Sequence, residues 1–141
     1  MNYLPWAVLA LAAYTLVAPL MRVATTGDGA IPSDIATMIS NTVLVVAAAG
    51  IVVATSQNVS AHLTSSKIPY ALAAGVCLAI GILAYYRALS LGPVSVVTPV
   101  FGLFLVTSSV LGILVLGEDF TARKLLGIVF AVLAVYFVTV E

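Results

Sequence analysis

Apolar positions along this chain fall into five long blocks separated by short polar breaks. A helix needs about 20 apolar residues to cross the hydrocarbon core of a bilayer. The blocks reach that length over about Leu4 to Ala24, Asp34 to Thr55, Ile68 to Ser90, Pro93 to Gly117 and Ala122 to Val140. The breaks carry turn residues: TTGDGAIPSD after the first block, the polar SQNVSAHLTSSK after the second, LGP after the third and GEDFT after the fourth. Thr121 stands where an N-cap for the last block belongs. Backbone groups in lipid have to be satisfied within their own segment, so long apolar runs mean helices. The strand alternation of a membrane barrel is absent from the sequence, and so is an internal repeat. The pattern predicts an all-α membrane protein, with residues 1–141 forming one domain of five transmembrane helices. None of the connections is long enough to house a soluble domain.

Composition narrows the class further. Hydrophobic residues make up 63% of the chain and charged residues only 7%, against roughly 25% charged in an ordinary soluble domain. Five acids and five bases cannot clothe a water-soluble surface of this size. A net charge of zero leaves no electrostatic footprint for nucleic acid. The single cysteine, Cys77, sits inside an apolar run and reads as a small core residue. The first block has no Lys or Arg before it and exceeds the usual core of a signal peptide, so it reads as a mature span. An odd number of spans puts the termini on opposite sides. Lys67, Arg123 and Lys124 then fall on the side of Met1, and Arg22 and Arg87 on the other. Lys/Arg bias sets orientation, and three against two is almost no bias. Insertion both ways, and a single orientation set by other features, both remain open.

The fourth block, PVSVVTPVFGLFLVTSSVLGILVLG, has a face that lipid does not reward. Ser95, Thr98, Gly102, Leu105, Ser109 and Gly112 recur at steps of three and four, which places them on one side of a helix. Small residues allow close helix packing in membranes. The same stripe could instead line a cavity, and Pro99, which removes one helix hydrogen bond, fits a site where protein or water meets the freed carbonyl. Gly75, Ala79, Ile82 and Tyr86 repeat the spacing in the third span. Thr37, Ser40 and Asn41 stand near the start of the second span, and Tyr14, Thr15, Pro19 and Arg22 in the first. Together they predict a narrow, mostly apolar pocket with a few hydroxyls and one or two cations, the usual make-up of a small-molecule site.

The charged and aromatic residues take blander readings beside the functional ones. Arg22 and Arg87 lie near span ends, where long cations reach the interface, although an ionisable group in a span is also a candidate for ligand contact. Glu118 and Asp119 read as a solvated turn before the last helix, and Glu118 would become a coupling group only if partly buried. His62 reads as a solvated loop residue. Tyr3, Trp6, Tyr85 and Tyr86 fit an interfacial aromatic belt. The sequence motifs of zinc, serine or phosphate-loop enzymes are missing, so neither an enzyme nor a bound metal or cofactor is expected.

The run AYYRALSLGPVSVVTPVFGLFLVTSSVLGILVLGEDFTARKLLGIVFAVLAVYFV resembles the EamA-type domain of the drug/metabolite transporter superfamily. The residues that carry the likeness are Tyr85, Tyr86, Ala88 and Leu89 before the short break, then Pro99, then Gly117 and Glu118 after the fourth span, and Gly127 in the last. The likeness covers roughly residues 68–140. Residues 1–60 share only the span pattern and a late basic residue, Arg22. The resemblance implies a transporter of small metabolites or drugs, built as a single five-helix half. Larger members of the family are similar to two such halves in inverted orientation. It also implies a cavity lined by the third and fourth helices with help from the first. Tyr14, Arg22, Asn41, Tyr86, Thr98 and Ser109 are the expected solute contacts, with Glu118 as the coupling candidate. The expected partners are the bilayer, a small organic solute and a second copy, antiparallel or replaced by a paralogue. The expected location is the inner membrane of a bacterium or archaeon. The rival expectation is a non-transporting subunit that packs against another membrane protein.

Overall fold

Proline marks most of the helix starts. In the computed structural model, which describes residues 3–140, the helices are α1 (Leu4–Thr25), α2 (Ser33–Ala54), α3 (Val59–Leu63), α4 (Ile68–Leu91), α5 (Val94–Leu116) and α6 (Ala122–Thr139). Pro5 and Pro69 lie in the first turns of α1 and α4, and Pro32 and Pro93 are the N-cap residues of α2 and α5. The first turn has backbone N–H groups without helical partners, so a residue lacking one is at no disadvantage there. Pro19 and Pro99 lie inside α1 and α5, which continue through them. Thr121 caps α6, its hydroxyl accepting from the backbone N–H of Lys124 at 3.3 Å, as the sequence predicts. Gly117 ends α5 in the left-handed region, with φ +69°, where a residue with a Cβ would be strained.

Five of these helices are long and apolar enough to cross a membrane, and they coincide with the five predicted spans to within a residue or two. Of the most apolar part of each, between 0% and 11% is buried inside the protein. The large apolar side chains instead point outward, Val8, Leu11, Val45 and Leu72 among them. That distribution is stable only where hydrocarbon is the solvent, so the chain is an integral membrane protein. The polar connection after α2 differs from expectation. It contains the five-residue helix α3, capped by the Asn58 side chain and carrying exposed His62.

The chain divides into two compact units. In Met1–Leu91, α4 packs against both α1 and α2. Buried residues gather where α1 ends, α2 begins and α4 ends: Ala18, Met21 and Thr25, then Ser33, Ala36 and Thr37, then Tyr85, Tyr86 and Leu89. Leu89 is fully enclosed. In Gly92–Glu141, α5 packs against α6.

Two sequence expectations are corrected here. Cys77 is exposed, not in the core: it lies on a side of α4 that its neighbours leave bare. Tyr85 and Tyr86 are buried and pack on each other with ring centroids 5.8 Å apart, so they belong to the core and not to an interfacial belt. Tyr3 and Trp6 keep the exposure that a belt requires.

Candidate functional site

Threonine and serine in an apolar helix first satisfy themselves. The hydroxyls of Thr15, Thr25, Thr37, Thr42 and Ser109 each donate to the carbonyl four residues earlier, at 2.7–2.9 Å. A row of hydroxyls on one face is therefore compatible with plain apolar packing, and geometry has to decide which of them meet a solute.

In the first unit the decisive residues stand on the facing sides of α2 and α4. The Ser40 hydroxyl donates to the Thr37 carbonyl at 3.0 Å, and the Asn41 amide donates to the same carbonyl at 2.9 Å. The Ser40 side chain faces the Tyr86 phenol from α2, and Tyr14 of α1 lies within electrostatic reach of that phenol. Adjoining this polar cluster at Thr37 and Asn41 is a cleft of about 360 Å³. Asp34, Thr37, Met38 and Asn41 line it from α2, and Gly75, Leu78, Ala79, Ile82 and Leu83 from α4. The predicted small face of the third span, Gly75, Ala79 and Ile82, thus forms one wall. The sequence missed the Ser40–Tyr86 pair, because a contact between two helices leaves no local spacing to read.

Arg22 does other work. Its Nη1 donates to the Leu89 carbonyl at 2.6 Å, tying α1 to the last turn of α4. Carbonyls there lack helical donors and carry the negative end of the helix dipole, so a cation fits. Arg87 is exposed at the same end of α4, as snorkelling predicts.

In the second unit a cleft of about 320 Å³ opens between α5 and α6, lined by Leu105, Val106, Ser109, Glu118, Lys124, Gly127 and Ile128. Leu105 and Ser109 belong to the small-residue stripe, so its later half looks at α6 and the turn. Glu118 is half exposed, and its Oε2 lies 4.0 Å from Lys124 Nζ. That ammonium also donates to the Asp119 carbonyl at 2.7 Å. Glu118 and Lys124 stand six positions apart across the turn, and the sequence reading did not pair them. Thr98 is half-buried about two turns before Leu105 on the same helix. The expected residues therefore fall into two groups: Tyr14, Arg22, Asn41 and Tyr86 in the first unit, and Thr98, Ser109 and Glu118 in the second.

Comparison with known proteins agrees with this architecture. The EamA-like transporter family matches residues 1–140. The match includes the first sixty residues, where the sequence resemblance is confined to the span pattern and Arg22. An uncharacterized transporter in the cobO 3' region of Sinorhizobium sp is 35% identical over 130 residues, which covers 89% of this chain and 87% of that protein. No solved structure matches the chain. Five apolar spans, two clefts with sparse polar groups and a family match along nearly the whole length lead to one conclusion: the chain belongs to the EamA-like transporter family, and with it to the membrane transporters of the drug/metabolite superfamily.

Proposed function

We propose that the chain carries a small organic solute across the membrane by alternating access, working as a pair of oppositely inserted copies. The observation that carries this reading is the α2–α4 cleft: apolar over most of its surface, with Thr37 and Asn41 on one wall and the Tyr86–Ser40 cluster beside it. A few polar groups in an apolar concavity orient a solute without holding it too tightly to release. Transporters built from inverted repeats bind solute near the midplane between the repeats. A lone five-span chain reproduces that symmetry by pairing with an inverted copy or an inverted paralogue, and the three-to-two division of Lys and Arg permits the first. In this reading all five spans act as one domain.

The proposed solute contacts are Tyr14, Asn41, Tyr86, Thr98 and Ser109. Arg22, engaged with Leu89, is assigned to holding α1 on α4. Glu118 is the coupling group, and Lys124 of α6 is the charged side chain that faces it across the cleft. The membrane is the inner membrane of a bacterium or archaeon. The test is uptake of a panel of labelled small metabolites and amphipathic drugs into liposomes holding the full chain, with and without a pH gradient. Saturable uptake of at least one compound, with a pH dependence altered in Glu118→Gln, is the expected result. Gradient-driven uptake with the same pH dependence in Glu118→Gln would remove the coupling role, and no uptake of any compound would count against transport by this chain alone.

A further inference from the structure

Gly112 is the one residue of α5 that is buried, and what covers it is the side chain of Glu118. A Cβ placed on Gly112 would stand 3.2 Å from Glu118 Cδ, 3.2 Å from Oε2 and 3.3 Å from Oε1. Those separations are tighter than ordinary van der Waals contact, so a methyl group there obliges the carboxylate to give way by a few tenths of an ångström. The backbone holds the same arrangement. The Gly112 carbonyl accepts from the N–H of Gly117 and, at 3.2 Å, from the N–H of Glu118. The left-handed turn at Gly117 thus folds the chain back so that Glu118 lies over the helix it has just left. On its far side the carboxylate meets the cleft that Ser109 and Lys124 line.

We propose that Gly112 is a positioning residue for Glu118: its missing side chain is the seat that keeps the carboxylate against α5, in the α5–α6 cleft and facing Lys124. The functional weight of this seat rests on the reading of Glu118 as the coupling group, but the seat itself is tested without transport. A water-soluble carbodiimide converts a carboxyl group into an O-acylisourea, and the deprotonated amine of a lysine at ion-pair distance displaces the urea to form an amide, the urea carrying away the elements of one water. The full chain in membranes is treated with this reagent, and the Glu118–Lys124 link is mapped by fragmentation mass spectrometry. The wild-type chain is expected to form that link, and Gly112→Ala to form it several-fold less while keeping its melting temperature close to wild type.

A second pair of variants separates seating from helix packing. With Glu118→Ala already in place, adding Gly112→Ala is expected to leave the melting temperature unchanged or raised, because nothing remains for the methyl group to displace and alanine favours helix over glycine. If Gly112→Ala does not fold, the double variant is expected to recover folding. The proposal is overturned by equal link yields in wild type and Gly112→Ala, or by a marked loss of stability from Gly112→Ala that is the same with and without the Glu118 side chain. Absence of solute uptake would leave these readouts intact, and equal link yields would leave uptake intact, so the two readings fail separately.

Discussion

Arg22 shows how a charged side chain in a membrane helix is decided by what it touches. Its position late in the first span fits both an anchor and a ligand contact, and spacing alone does not choose between them. The 2.6 Å bond to the Leu89 carbonyl is the observation that favours the anchor. Hydrogen bonds to charged groups contribute about 1.5–3 kcal/mol, and Leu89 beneath it is fully enclosed. Arg22→Ala is therefore expected to lower stability by about that amount, and Arg22→Lys by less, read as thermal midpoints in detergent without solute. A midpoint unchanged in Arg22→Ala, together with a raised KM for transport, would make Arg22 a solute contact instead. Other single residues were legible to different degrees. Thr121 announces its cap because the pattern is local. Cys77 and Tyr85 do not announce their surroundings, since both stand off the small face of α4 and no local spacing marks which of its other sides meets lipid and which meets α1. Lys124 was invisible as the partner of Glu118 because the turn at Gly117, not helical spacing, brings them together.

At the level of elements, span existence and span ends were almost wholly readable. Runs of about 20 apolar residues have one stable form in hydrocarbon, and prolines at helix starts sharpen the boundaries. The short helix α3 was missed, because five residues are too few to carry a periodic signal. The small face of α4 was also legible, as Gly75, Ala79 and Ile82, and the structure sets it opposite Thr37 and Asn41 across a cleft. Two uses of that face remain distinct in physical terms. A solute space loses function when filled, while a packing seam loses assembly. Ala79→Leu is expected to abolish most solute uptake and leave the midpoint and the oligomer, measured by size-exclusion chromatography with light scattering, as in the wild type. Loss of the oligomer with uptake retained by the remaining protein would make the cleft a packing seam, as in a non-transporting subunit.

Over the whole molecule, the account depends on symmetry that one chain lacks. In the proposed reading five spans leave the termini on opposite sides, and Lys and Arg divide three to two between them. A small excess of this kind gives the insertion machinery little to choose by. Adding two lysines to the connection between α1 and α2 is a large change on that scale, whereas the native chain sits near balance. The central claim is that copies insert both ways and pair into an inverted two-fold transporter. The most direct measurement is the sidedness of the C-terminus in intact cells. Cys77 is replaced by Ser, a cysteine is appended after Glu141, and an impermeant maleimide is applied before and after lysis. Labelling of about half the chains from outside is the result expected from near-equal insertion in both senses. Labelling of all chains, or of none, before lysis would contradict the antiparallel homodimer.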